Sequence, residues 1–430
     1  MRPVFRARTG LIAFLALVAA GCAGSSLAQE EAAAQHASEA PSPLLPFLKT
    51  GWNELDTSWI SVKLGFAALE DGAFYSQNAA SKQQVGSLTP EGLFRVDDLL
   101  LSGQIKFAHP WTYAVGGNYK GLDPTSARGW TTTYLYVSIP LGAFGSVTVG
   151  KQKEGLGMEM VENGRDLPFM ERSTMTTAFT FVDSHIVGVR FSNTVADGRM
   201  TWSAGWFNNW LDDGLTFDQS GNVFGGRVTG LALEADGGRS LIHLGVSGVY
   251  RQAKDGSFQL KSIPEVYEAP DFVDTGSFSA NHGVSVDGEL AVVHGPLTVS
   301  AEYSATGISS PAQAADFHFS GYYAMATWSL TGETRPYNHA LGAFGAISPS
   351  APFSFKNGGP GAWEVAARYS SVDLTSGPIQ GGKFDRVSGG LSWYPTREFR
   401  FEFDYGYGRL ERSGLVGHTN FYQLRLQFQL

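Results

Sequence analysis

Basic side chains recur at alternate positions along glycine-punctuated segments of this chain, and that spacing suits a surface that attracts anions. Lys63, Lys106, Arg190, Arg251, Arg368, Arg386, Arg400 and Arg425 fall on the polar phase of such segments. Asp287, Glu289, Glu302, Glu364, Glu402 and Asp404 share the phase. An oxyanion gives up hydration only where several charge-assisted donors stand close together, so clustered Arg and Lys are the chemistry to look for. Lys153, Arg165, Arg172 and Arg335 lie between the alternating segments and complete the candidates for lining or constricting a wet interior. The competing role is pairing across neighbouring strands, for instance Arg400 with Glu364. Phe169-Met170-Glu171-Arg172 has two readings as well: it lines a constriction, or Glu171 and Arg172 pin a loop to the wall. Asp183-Ser184-His185 is the one hint of hydrolysis. It fits no nucleophile elbow, and the nine histidines show no ligand spacing, so neither a catalytic residue, a metal nor a cofactor is expected.

The elements that must carry these residues are strands. Tyr422, Leu424, Leu426, Phe428 and Leu430 alternate with Gln423, Arg425, Gln427 and Gln429. Phe399, Phe401, Phe403, Tyr405 and Tyr407 alternate with Arg400, Glu402 and Asp404, and Trp363, Val365, Ala367 and Tyr369 with Glu364 and Arg368. A period of two puts one face against apolar surroundings and the other against polar ones. Candidate strands fall near 57–70, 95–107, 111–119, 131–139, 146–151, 185–193, 199–209, 225–235, 240–252, 283–293, 297–305, 319–331, 361–373, 385–394, 397–409 and 420–430. That makes sixteen, the even number a closed single-chain bacterial barrel needs. Short turns are expected at His109-Pro110, Pro140–Gly145, Val195–Gly198, Ala235–Gly238, His294–Pro296 and Pro395-Thr396, with longer loops between them. Short turns mark the periplasmic end, and both termini fall on it. Residues 332–360 break the alternation. They hide a missed hairpin, giving eighteen strands, or they fold into or beneath the lumen. Arg335, Lys356 and His339 are their titratable basic groups, with snorkelling to the lipid interface as the plain role for each. Trp59, Trp111, Trp202, Trp206, Trp393 and Tyr394 are expected in interfacial girdles.

Composition and the N-terminus agree. The chain has 53 Gly, 29 Phe, 16 Tyr and 10 Trp, one Cys and 17% charged residues. Arg2, Arg6 and Arg8 precede an apolar core, Leu11–Ala20, too short to span a bilayer as a helix. Ser26-Leu27-Ala28 reads as the cleavage site, so residues 1–28 are expected to be a signal peptide; lipidation at Cys22 is the rival. Residues 29–50 are Ala/Glu/Pro-rich and read as a periplasmic extension, with a barrel domain over 51–430. Loss of the three arginines leaves 28 basic residues against 40 acidic ones. Nucleic acid is therefore excluded as a partner.

Several motifs resemble the phosphate-selective porin O and P family: Gly150-Lys151-Gln152-Lys153-Glu154, Phe169-Met170-Glu171-Arg172-Ser173, the run Leu330–Tyr337, the run Gly361–Ser370 and Trp393-Tyr394-Pro395. The resemblance covers most of 57–430 in order. It implies a sixteen-stranded trimeric porin whose third external loop, here about 152–184, folds into the pore, with a long periplasmic connection at 332–360. It also implies anion selectivity resting on lysine-rich constrictions and an arginine ladder. This chain departs from the pattern in ending at Leu430, in lacking a proline after Glu154, and in placing three basic against six acidic residues in 152–184.

Together these readings lead us to expect an all-β, closed, antiparallel transmembrane barrel of about sixteen strands with inward-folded loops, in the outer membrane of a Gram-negative bacterium. Its expected role is passive diffusion of small hydrophilic solutes, anions such as phosphate among them, as a homotrimer surrounded by outer-membrane lipid. The alternatives are a general or cation-tolerant channel without phosphate selectivity, a structural or adhesive barrel, and a barrel-embedded hydrolase.

Overall fold

The computed structural model describes residues 52–106, 110–120, 129–153, 157–179, 185–310 and 315–430. The expected signal peptide, its expected cleavage site and the expected 29–50 extension lie outside the described residues. Sixteen antiparallel strands form the wall: β1 Ser61–Gln77, β2 Glu91–Ile105, β3 Trp111–Lys120, β4 Gly129–Pro140, β5 Ser146–Lys153, β6 His185–Val195, β7 Met200–Phe207, β8 Val223–Ala235, β9 Ser240–Gln252, β10 His282–His294, β11 Leu297–Ser310, β12 Ala315–Ser329, β13 Ala362–Ser376, β14 Ile379–Tyr394, β15 Phe399–Arg412 and β16 Leu415–Gln429. Each pairs with its sequence neighbours, and β1 closes on β16 in a register running from Ala67↔Gln429 to Gln77↔Thr419. Closure leaves no unpaired edge, as hydrocarbon demands.

Alternation sorts the faces as a lipid-embedded cylinder requires. On β15, Phe401, Phe403, Tyr405 and Tyr407 are exposed on the outside, while Arg400, Glu402 and Asp404 are buried inside. On β16, Leu424 and Leu426 face out, and Gln423, Arg425 and Gln427 face in. The opposite phase would put those charges in lipid, at about 2–4 kcal/mol for each arginine at mid-bilayer.

The short turns expected at Pro140–Gly145, Val195–Gly198, Ala235–Gly238, His294–Pro296 and Pro395-Thr396 are present at one end; the one expected at His109-Pro110 lies partly outside the described residues. Long connections at the other end give way to short ones late in the chain, where β13–β14 closes through Gly377-Pro378 and β15–β16 through Ser413-Gly414. Ser413 (φ 54°) and Gly414 (φ 75°) both take positive φ. That is the two-residue geometry that fits strand twist, so these strands run on instead of giving way to a loop.

Residues 332–360 contain no barrel hairpin. Tyr337–Asn338 pairs only with Ala343–Phe344, and the wall keeps sixteen strands. Three segments enter the lumen. Residues 157–179 carry short helices at Met158–Val161 and Thr174–Phe179. Residues 253–281, which the alternation pattern passed over, carry the two-residue pairs Ser257–Phe258/Phe278–Ser279 and Lys261–Ser262/Val273–Asp274. The third is 332–347. Phe258, Leu260, Val266, Phe272 and Phe278 pack with Phe169 and Met175 against the inward faces of Phe317, Phe319, Phe384 and Phe421. A smaller core joins Met158 and Val161 to Ala343, Phe344 and the wall residues Leu231, Leu241, Ala291 and Val293.

Candidate functional site: the lumen

Most of the inward arginines hold these segments in place. Arg425 pairs bidentately with Asp71 (2.6 and 2.8 Å) and donates to the Met170 carbonyl (2.7 Å). Arg400 donates to the carbonyls of Leu167 (2.6 Å) and Pro168 (3.1 Å), and pairs with Glu402 (2.8 Å). Its pairing with Glu364 does not occur. Glu364 instead takes both bonds of Arg335 Nη2 (2.7 and 2.8 Å), and Arg335 Nη1 reaches the carbonyls of Asp166 and Gly345. Arg335 is thus an internal anchor and does not snorkel. Arg368 meets Glu159 (3.2 Å) and Glu265 (2.6 Å) and lies over the Phe169 ring (4.5 Å). Arg386 donates to the Pro264 carbonyl and stands 3.5 Å from Glu265. A buried charge is tolerated only when paired and hydrogen-bonded, and the loop carbonyls supply much of that shell. Glu171 accepts from Arg95 (3.0 Å) and Arg425 (3.2 Å), the pinning role.

Arg95, Arg227 and Glu265 were not singled out from the sequence. Arg95 shares the inward phase of Leu93, and Arg227 that of Thr229 and Leu231, so parity was the available signal. Nothing local marks Glu265 apart from the loop it sits in. Arg227 pairs bidentately with Glu289 (2.7 Å each) and donates to the carbonyls of Leu341 (2.6 Å) and Gly342 (2.7 Å). His243 bridges Glu289 (3.1 Å) and the Tyr337 hydroxyl (2.8 Å). These contacts dock 332–347 on β8–β10.

The remaining candidates divide in two. Lys63 and Lys106 stand at the short-turn end, paired with Glu54 (2.7 Å) and Asp56 of a three-residue strand, Glu54–Asp56, that precedes β1. Lys153, Arg165, Arg172 and Arg190 gather along β2–β6, and each is only part-buried. Lys153 Nζ and Arg172 Nη2 both donate to one acceptor, the Glu162 carbonyl, at 2.8 and 2.7 Å. Arg172 Nε also donates to the Glu159 carbonyl (3.1 Å), and Arg190 Nη1 to the Lys153 carbonyl (3.3 Å). Among the described residues no carboxylate lies at ion-pair distance from Lys153, Arg172 or Arg190. Arg165 faces Asp98 at 3.5 Å. Asp98 sits in a bulge with φ 50°, its backbone N–H donating to Asn118 Oδ1 (2.9 Å), and the bulge redirects its side chain inward. Tyr134 and Tyr136 line the same side, with the His185 ring edge-on to Tyr134 at 4.5 Å. Lys151, beside them, is paired with Asp212. Arg251 is half-buried at the far end of β9. Asp183 and Ser184 lie outside the described residues.

Glu162 links the site to the 332–347 segment, because its Oε1 accepts from Phe344 N–H (3.1 Å). Burial pushes this carboxyl up to about 7, with Arg335 and the Phe344 N–H pulling the other way. A raised folded-state value means that this group's contribution to stability is lost as pH climbs through about 7. Ionisation also places a negative charge on the residue whose carbonyl gathers Lys153 and Arg172. We expect anion preference to fall between roughly pH 6 and 8, and Glu162→Gln to lessen the slope. Zero-current potentials measured across that range check it; a slope unchanged in the Gln variant would show that another group titrates.

A closed, lipid-facing barrel with a charged lumen narrowed by infolded loops defines an outer-membrane channel of the porin class. The family description "phosphate-selective porin O and P" matches residues 93–430, and the chain belongs to that family. It is 24% identical to Porin O of Pseudomonas aeruginosa over 319 residues, 66% of this chain and 69% of that protein. It is 28% identical over 273 residues to an uncharacterized protein of Caulobacter vibrioides, covering 60% of this chain and 53% of the other; the match thus spans about half the length of that relative. Among solved structures, the outer membrane protein OmpT of Vibrio cholerae superposes with a TM-score of 0.56 at 10% identity, over 88% of this chain and 99% of OmpT. Its trimer form, at 11% identity, gives 0.52 over 86% and 100%. The location is the outer membrane of a Gram-negative bacterium.

Proposed function

We propose that this porin lets small hydrophilic solutes diffuse passively, favours anions with phosphate among them, works as a homotrimer and performs no catalysis. The observation that carries the anion preference is the convergence of Lys153 and Arg172 on the Glu162 carbonyl, without a carboxylate to cancel them among the described residues. A carbonyl holds a cation in place while leaving its charge uncompensated, so the solvent beside β4–β6 sees a positive field. Arg190 adds to it, and Arg165 adds less because Asp98 opposes it. The five buried arginines at 335, 368, 386, 400 and 425 contribute little to such a field, since their carboxylate partners neutralise them. A short constriction gives the selectivity in this reading, in place of a continuous ladder. Porin O, whose family name carries phosphate selectivity, supports the same choice of solute.

Planar-bilayer recording tests the proposal. With a salt gradient, the zero-current potential should take the sign of anion selectivity, and inorganic phosphate should reduce the chloride current. A cation-selective potential with no phosphate block would leave a general diffusion channel. Absence of steady conductance from folded protein would point to a structural or adhesive barrel.

A further inference from the structure

The segment that enters the lumen at Arg335 leaves it again, and its tip emerges outside the wall. Phe353 N–H donates to the Pro395 carbonyl in the β14–β15 turn (2.7 Å), and a tight hairpin follows, with Ser354 N–H on Gly359 O and Gly358 N–H on Ser354 O. Phe353 meets Trp393 edge-on at 5.3 Å, and Phe355 meets Phe353 at 4.7 Å. Trp393 in turn stacks between Trp363 (5.5 Å) and Phe401 (5.4 Å), which belong to the outward, lipid-facing phase of β13 and β15. Its indole N–H donates to the Pro360 carbonyl (3.0 Å), tying the hairpin's exit to the same row. The aromatic belt of the barrel therefore continues onto a loop that the strand pattern does not include. At the tip, Phe355 is 93% exposed, and the next residue is Lys356. Neighbouring wall residues Trp328 and Leu330 are also half exposed. A fully exposed Phe next to a Lys, joined to an aromatic girdle, is the composition of a membrane-water interface: the ring sits among acyl chains and the ammonium reaches lipid phosphate.

We infer that residues 353–356 form an interfacial anchor that inserts Phe353 and Phe355 into the periplasmic leaflet and sets Lys356 against phospholipid headgroups. The anchor fixes the outer end of a segment whose inner end is docked in the lumen by Arg335 and Arg227, so the periplasmic mouth is tethered to the bilayer.

The test uses the full chain with Cys22→Ser, folded into phosphatidylcholine vesicles, with a polarity-sensitive NBD label on Phe355→Cys or, as a second position less sensitive to packing, Lys356→Cys. Leu341→Cys, on the part of the segment docked in the lumen, is the aqueous control. The label at 355 should emit to the blue of the control, and phosphatidylcholine brominated high on its acyl chains should quench it about threefold more than at 341. Quenching by iodide equal to that at 341 would place the tip in water and overturn the anchor. Shielding from both quenchers at 355 and 356 would mean that protein covers the tip, a neighbouring copy included, and would overturn it equally.

Discussion

Combining Lys153→Glu with Arg172→Glu is expected to turn the channel from anion-preferring to cation-preferring. Both side chains end on the Glu162 carbonyl, so both charges act on the same short stretch of lumen. A unit charge about 7 Å from a passing ion, in water-like dielectric, contributes about 0.6 kcal/mol. Reversing two charges changes the local field by four units, about 2 kcal/mol before salt screens part of it. A change of about tenfold in relative anion-to-cation permeability follows, enough to change the sign of the zero-current potential in a salt gradient. The neutral pair Lys153→Gln with Arg172→Gln should bring the potential towards zero without inverting it. That series separates charge from bracing, because the neutral pair also replaces the long ammonium and guanidinium braces of 157–179 with shorter amides. Retention of anion selectivity by the folded double Glu variant would remove the site from the conduction path.

The barrel was legible in the sequence because lipid and lumen impose opposite demands on successive residues, and a two-residue period records that conflict directly. Phe399–Tyr407 and Tyr422–Leu430 display it almost without interruption. Inward phase followed from the same rule, which is why the lumen-facing arginines of β13–β16 could be named. What period two does not contain is the partner of each inward charge. Arg400 meets Glu402, two residues away on its own strand, and loop carbonyls from 167–168, because the infolded loop approaches more closely than a neighbouring strand. The plug at 253–281 was missed for a related reason. Its apolar residues, Phe258, Leu260, Val266, Phe272 and Phe278, follow no single period; Phe272 meets Phe384 and Phe421, while Phe278 meets Phe317 and Phe319. The net acidity of 152–184 does not say which of its charges are paired. Glu159, Glu162 and Glu171 are used in hydrogen bonds and ion pairs within the packed part, whereas Lys153 and Arg172 donate to carbonyls and have no carboxylate at ion-pair distance among the described residues.

Glu265→Ala is expected to release the 253–281 plug and raise conductance. Glu265 is 1% exposed and sits at φ 62° within that segment. Its carboxylate gathers Arg368 (2.6 Å), Arg386 (3.5 Å), the Ser370 hydroxyl, and the N–H (3.1 Å) and hydroxyl (3.3 Å) of Thr174. It therefore joins the plug, the wall and the other infolded segment at one point. Burial alone would raise its pKa, but the Arg368 and Arg386 guanidiniums outweigh burial and hold it below the usual carboxylate range. A depressed value means that the docking free energy is fully present above the ordinary carboxyl pKa and is lost as pH falls through the depressed one. Removing the carboxylate leaves Arg386, which has no other carboxylate at ion-pair distance among the described residues, buried without compensation. That loss costs about 3–5 kcal/mol, more than the cost of the truncation itself. Glu265→Gln keeps shape and part of the hydrogen bonding and should cost about 1–3 kcal/mol. The apolar contacts of Phe258, Phe272 and Phe278 oppose release, so the open state should be populated as a fluctuation: noisier current, a larger mean conductance, and cleavage within 253–281 by added protease while the barrel stays intact. The wall does not depend on the plug for its hydrogen bonds, because every strand is paired around the full circuit. Excising 256–280 should accordingly leave a folded barrel with the highest conductance of the three. If Glu265→Ala keeps wild-type conductance and resists protease, the apolar contacts alone hold the plug, and the carboxylate serves only to satisfy the arginines around it.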